Sequence, residues 1–208
     1  DAAVEPAILN RALREIVNRT FNAITVDGES STNDTVFILA NGSSGVTIPE
    51  TENTDLYKAL VLGFDSVCSW LAREIVRGGE GATKLATVTV TGAASDQEAQ
   101  RVARLIANSP LVKTALHGED PNWGRIVAVA GRSGVAFDQA KTEVRIGSTT
   151  LFANATVMAE QETLAAAHLA GDEVELSIDL GTGGSGTARM WTCDLSAEYV
   201  HINADYRT

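Results

Sequence analysis

The residue types able to do chemistry gather in a few short runs. Gly78-Gly79-Glu80-Gly81-Ala82-Thr83-Lys84 separates a long apolar-periodic segment from an alternating one. Glycines let backbone approach a ligand closely. The run lacks the Gly-Lys-Ser/Thr ending of a phosphate loop, which argues against nucleotide binding. It reads either as a plain helix-to-strand turn or as a loop that holds the Glu80 carboxylate at the mouth of a site, facing an amine or moving a proton. Ser30-Ser31-Thr32-Asn33-Asp34-Thr35 groups hydroxyls and amides that suit a polar ligand, and equally suit turn and cap hydrogen bonds. The densest polar run is His117-Gly118-Glu119-Asp120-Pro121-Asn122-Trp123-Gly124-Arg125. His117 and Asp120 suggest a hydrolase triad, but no Gly-x-Ser-x-Gly elbow supplies its serine. Trp123 reads as the anchor of a tight loop, and Arg125 as an internal partner of Glu119 or Asp120. His117, His168 and His201 show no metal-ligand spacing with one another or with the cysteines, so no metal site is expected. The C-terminal stretch from Tyr199 to Thr208 is rich in aromatic and β-branched residues, which points to a terminus that is packed or used.

These runs need elements to place them. Residues 6 to 19 carry Ile8, Leu9, Leu13, Ile16 and Val17 on one helical face, with Pro6 in the first turn. Thr35 to Ala40 reads as a buried strand closed by Asn41-Gly42, and residues 43 to 54 as an exposed loop. Residues 55 to 77 give the longest helix pattern, ended by Gly78-Gly79. Ala86, Val88 and Val90 alternate with Thr87, Thr89 and Thr91, as a strand with one buried face does. Ser95-Asp96-Gln97-Glu98 is a capping box that opens a helix stopping before Pro110. Further strands are expected at Glu143 to Ile146, Glu173 to Leu180, Thr187 to Cys193 and Tyr199 to Ile202, with a helix over 158 to 169. Gly181 to Gly186 reads most simply as a hairpin loop. The pattern implies α/β or α+β layers, divided into a larger part at about 1–135 and a strand-rich part at about 136–208.

With 208 residues the chain can bury a substantial core, and its net charge of −11 argues against nucleic acid or an anionic membrane as partner. Cys68 and Cys193 are too few for a disulfide framework. Both read as buried free thiols of a reducing, cytoplasmic compartment. No apolar run reaches the roughly 18 residues of a membrane span, and no secretion leader opens the chain. The Asn-x-Ser/Thr triplets at Asn18, Asn33, Asn41 and Asn154 then read as chance. Asp1 enters a helix pattern without an initiator Met, so the chain reads as a fragment of a longer precursor.

Several segments together carry a resemblance. They are Ile24-Thr25-Val26-Asp27-Gly28 with Ser31-Thr32-Asn33-Asp34-Thr35, then Gly79 to Lys84, then Asn108-Ser109-Pro110-Leu111-Val112-Lys113-Thr114-Ala115. His117-Gly118 with Asp120 to Arg125 follows, and then Cys193-Asp194-Leu195 with Tyr199-Val200 and Ile202 to Thr208. In order, and over the whole chain, these resemble the β chain of ornithine acetyltransferase, the bifunctional glutamate N-acetyltransferase of arginine biosynthesis. The resemblance implies transfer of an acetyl group from N-acetylornithine to glutamate through an acetyl-threonine intermediate, in a ping-pong cycle. It needs no cofactor, and some members also accept acetyl-CoA. The precursor cuts itself before the nucleophilic threonine, whose own amine is the base. That threonine belongs to an Ala-Thr-Met-Leu motif upstream of the position matched by Asp1, so no catalytic residue is expected within the chain. Glu80, Asn203 and Thr208 match substrate contacts, with the Thr208 hydroxyl and terminal carboxylate facing a ligand amine. The implied fold is a layered α-β-β-α sandwich of the self-cleaving N-terminal-nucleophile kind. A separate α chain completes it, in a heterotetramer of two α and two β chains. Alternatives are an amidohydrolase or aminopeptidase of the same self-processing architecture, with water as acceptor, and a non-catalytic amino-acid-binding subunit.

Overall fold

A computed structural model describes residues 1–49 and 54–205. The chain forms two compact units, residues 1–23 with 29–74, and residues 24–28 with 75–208. The boundary expected near residue 135 falls inside the second unit, because the strand that begins at Leu85 pairs with strands on the far side of that boundary.

The first unit is helical. Helix α1 spans Pro6–Arg19, with proline in its first turn. Ile8, Ala12 and Ile16, spaced by fours, form its buried stripe. Helix α2 spans Asp55–Arg77 and turns Tyr57 and Val61 into the same cluster, together with Ile48. Ile48 is thus a core residue within a stretch expected to be exposed, and residues 50–53 of that stretch lie outside the described residues. Arg19 clasps α2 through Asp65 at 2.6 Å and its own helix through Glu15 at 2.9 Å. Two expectations fail here. Thr35 to Ala40 forms no strand, and Phe37 and Leu39 are 82% and 90% exposed. Apolar β-branched residues suit a sheet, but a strand also needs a neighbour's N–H and C=O groups, and no other described strand pairs with this segment. Cys68 is only half-buried, at the margin of the α2 contact.

The second unit is a six-stranded mixed sheet with helices, in the order β4-β3-β2-β5-β1-β6. The strands are β1 (Leu85–Ala93), β2 (Glu143–Ile146), β3 (Thr149–Ala153), β4 (Thr156–Val157), β5 (Glu173–Asp179) and β6 (Gly186–Cys193). β1 lies parallel to β5 and antiparallel to β6. Its Ala86, Val88 and Val90 enter the main core, while Thr87, Thr89 and Thr91 are half-buried, as a period of two requires. Helix α3 (Asp96–Ala107) packs on β1 and β6 through Val102 and Ile106. Ser95 caps it by accepting the Glu98 N–H. Helices α4 (Pro110–His117) and α5 (Trp123–Gly131) pack on α3. Helix α6 (Glu162–Leu169), after a 3₁₀ turn at Ala159–Gln161, fills the space beside β2, β3 and β5 with Ala165 and Leu169. Among the described residues no helix is long and apolar enough to cross a membrane.

Two expectations are corrected in this unit. The glycine-rich link after β5 is not a hairpin, because β1 lies between β5 and β6. The link crosses the end of β1, backbone against backbone. A Cβ on Gly184 would sit 2.0 Å from the Ala93 carbonyl oxygen, and one on Gly186 2.4 Å from the Ser95 carbonyl. Tyr199 to Ile202 is not a strand but part of helix α7 (Ala197–Asp205). Ser196 accepts the Tyr199 N–H at its start, and this cap outweighs the strand preference of Tyr, Val and Ile.

The crossing gives a direct test. Gly184→Ala, with backbone as its obstacle, is expected to destabilise the chain by about 3 kcal/mol in denaturant titration. A change within about 0.5 kcal/mol would show that the link is looser than described.

Candidate functional site

The Gly78–Lys84 run leaves α2 and enters β1 over a small core of Val76, Leu85, Trp191 and Cys193, with Ile24, Val26 and Ala82 packed beside it. Ile24 bridges to Trp191, and the Thr25 N–H donates to the Trp191 carbonyl at 3.0 Å. Gly81 has φ +66°, in the left-handed region that favours glycine. Space demands glycine as well: a Cβ there would lie 2.4 Å from the Tyr199 nitrogen and 2.8 Å from the Ser196 hydroxyl. The loop therefore sits directly against the first turn of α7.

That contact brings two of the expected site residues together. The Asn203 amide donates to Glu80 Oε2 at 2.7 Å and to the Tyr199 carbonyl at 3.0 Å. Both side chains are exposed. Tyr199, one turn earlier, donates its hydroxyl to Asp27 at 3.1 Å. The surface thus offers carboxylate acceptors from Glu80 and Asp27, with the Asn203 amide oxygen as a further acceptor. Thr208, the third expected contact, lies outside the described residues.

Beneath this surface is a buried anion. The Asp194 side chain follows β6 and is fully buried. One oxygen accepts the Thr83 and Lys84 N–H groups at 2.7 and 3.0 Å. The other accepts the Thr83 hydroxyl at 2.7 Å and faces His117 Nδ1 at 2.7 Å. Burial alone would raise the carboxyl pKa, but the bonds from Thr83, His117 and Lys84 outweigh it and hold the group below its ordinary range. Lys84 turns its ammonium away from Asp194, to Glu119 at 3.2 Å and the Leu169 carbonyl at 2.7 Å. Lys113, on α4, is buried and donates to the Thr192 hydroxyl and the Cys193 carbonyl. Burial pushes its ammonium pKa down and the Cys193 thiol up. Cys193 is thus the buried free thiol that the sequence suggests.

The other candidates resolve into structural roles. Ser31 accepts the N–H groups of Asn33 and Asp34, which is turn chemistry. His117 pairs with Asp194 rather than with Asp120, so no hydrolase triad forms. Trp123 stacks on Phe152 with ring centroids 4.7 Å apart, the expected anchor of its loop. Arg125 binds the Leu111 carbonyl at 2.6 Å and approaches Asp120 at 3.9 Å, whereas Glu119 goes to Lys84. Among the described residues no group of three His, Cys, Asp or Glu side chains is placed to hold a metal ion. The residues that composition and spacing did not flag are Asp194, Ser196 and the buried lysines. For the charged ones the visible signal is a charge beside apolar residues, as in Cys193-Asp194-Leu195, and Ser196 gives none.

The Asp194 carboxyl titrates lower folded than unfolded, so its stabilisation is present above the unfolded pKa. It fades as pH falls below the ordinary value of 3.8 through the folded value. Asp194→Asn is expected to cost about 2–4 kcal/mol at neutral pH, with the gap to wild type narrowing steadily in acid. A gap independent of pH would contradict a buried anion here.

The whole chain, residues 1–208, matches the model of the ArgJ family. The arginine biosynthesis bifunctional protein ArgJ of Bacillus licheniformis is 48% identical over 209 residues, covering 100% of this chain and 51% of that protein. A protein of Methanopyrus kandleri named glutamate N-acetyltransferase is 46% identical, covering 100% of this chain and 54% of that protein. The chain spans about half the length of the curated relatives it matches. The crystal structure of the arginine biosynthesis bifunctional protein ArgJ of Bacillus halodurans superposes with a TM-score of 0.93 at 43% identity, covering 99% of this chain and 96% of that one. On fold and sequence together, the chain belongs to the ArgJ family.

Proposed function

We propose that this chain is the β-chain portion of a glutamate N-acetyltransferase that moves an acetyl group from N-acetylornithine to glutamate. The observation that carries the reading is the Asn203–Glu80 hydrogen bond, which joins two residues that are 123 positions apart and that the family resemblance independently marks as substrate contacts. The names of the relatives supply the reaction class, and the aminopeptidase and binding-subunit alternatives have no comparable support.

In this reading the upstream threonine hydroxyl attacks the acetyl carbonyl of N-acetylornithine. Its own α-amine takes the hydroxyl proton and passes it to the leaving ornithine amine, and an acetyl ester remains on the threonine. The glutamate amine then attacks that ester, loses a proton and leaves as N-acetylglutamate with the threonine restored. Both substrates carry an α-carboxylate and a second charged or polar end. Glu80 accepts from a substrate ammonium in a charge-assisted bond, and Asn203, whose two N–H donors are held by Glu80 and the Tyr199 carbonyl, offers its Oδ1 as a second acceptor. The Thr208 hydroxyl completes the set on the strength of the resemblance. An α chain from the same precursor supplies the remaining layer of the α-β-β-α sandwich and the groups that stabilise the oxyanion, in a heterotetramer. The reaction asks for no cofactor, acetyl-CoA is a second possible donor, and the cytoplasm is the compartment.

Acetyl transfer from N-acetylornithine to glutamate, followed in the assembled enzyme, tests this. Glu80→Gln keeps the shape and removes the charge, and is expected to lower kcat/KM about 10²-fold, near 3 kcal/mol. Unchanged kinetics in a natively stable variant would return Glu80 to the plain turn.

A further inference from the structure

We infer that Ser196 and Asp194, on the one turn joining β6 to α7, are positioning residues that set the Glu80 carboxylate against the Asn203 amide. The inference rests on the reading of Glu80 and Asn203 as substrate contacts and adds what holds them in place.

The Glu80–Asn203 bond is exposed, and water competes for both partners. It cannot fix its own geometry, so the supporting elements must. Ser196 is buried, and its single hydroxyl serves both elements. It donates to the Gly81 carbonyl at 2.6 Å, one residue after Glu80, and accepts the Tyr199 N–H at 3.3 Å as the cap of α7. Asn203 then stands one helical turn beyond Tyr199, tied to that residue's carbonyl. Asp194 grips the other end of the loop through both N–H groups of Thr83 and Lys84 and the Thr83 hydroxyl. Gly81 leaves no slack between loop and helix, since a Cβ there would overlap the Tyr199 nitrogen and the Ser196 hydroxyl. A site residue acts well only when its neighbours hold it to within a fraction of an ångström. Here one three-residue turn, Asp194-Leu195-Ser196, does this for a loop and a helix far apart in sequence.

The test is made in the assembled enzyme with Ser196→Ala, which removes the shared hydroxyl, and Thr83→Val, which removes one Asp194 donor while keeping side-chain shape. Amide hydrogen exchange reads the anchor without reference to activity. In Ser196→Ala, exchange is expected to quicken about tenfold in both 79–84 and 197–203. KM for N-acetylornithine should rise about fivefold with kcat within about twofold, because the loss is of ground-state positioning. Thr83→Val should loosen 79–84 and raise KM in the same sense. Loosening of α7 alone would overturn the shared anchor and leave Ser196 as an ordinary cap. An unchanged KM in Ser196→Ala, alongside a raised one in Glu80→Gln and Asn203→Ala, would overturn the positioning role. If Glu80→Gln and Asn203→Ala themselves have no kinetic effect, the substrate reading fails by itself, and the exchange data still decide whether Ser196 joins loop to helix.

Discussion

The structure around the candidate site depends on one buried carboxylate. Asp194 gathers two backbone N–H groups, a threonine hydroxyl and a histidine ring nitrogen from two separate elements: the loop between α2 and β1, and the end of α4. A carboxylate without these partners would be expensive to bury, and the loop without the carboxylate would leave its own N–H groups unpaired. Each side makes the other tolerable. The Glu80 loop, the end of β6 and the start of α7 are therefore tied to one another, although the loop is rich in glycine and the Glu80 side chain faces solvent.

Glycine serves close backbone approach in two places. Gly81 lets a loop lie against a helix start, and Gly184 and Gly186 let a crossover lie against the end of β1. In each case the obstacle to a side chain is mainly backbone, which cannot swing aside as a flexible side chain can.

Much of the fold was legible in the sequence. The long helix, the alternating strand from Leu85, the capping box at Ser95 and the strands at Glu143, Glu173 and Thr187 all follow from periodicity and caps. The misreadings have a common cause. Thr35 to Ala40 and Tyr199 to Ile202 carry residues that favour strands, but strand formation depends on a partner and helix formation on a cap. The hairpin expected after β5 failed because a parallel β1–β5 pair is a non-local fact that no short window reveals. Of the site, Glu80 was legible as one of two readings of its glycine-rich run, and Asn203 only through the family resemblance. Asp194 and Ser196 were not legible as anchors, since their roles rest on contacts with residues more than a hundred positions away.

The proposed acetyl transfer requires Glu80 and Asn203 to act on substrate as a single pair. A double-mutant cycle on kcat/KM for N-acetylornithine, using Glu80→Gln, Asn203→Ala and the double variant in the assembled enzyme, measures this most directly. Strong non-additivity is expected, with the double variant little worse than the poorer single one. Additive losses would show two independent contacts that merely touch, and would contradict that pairing.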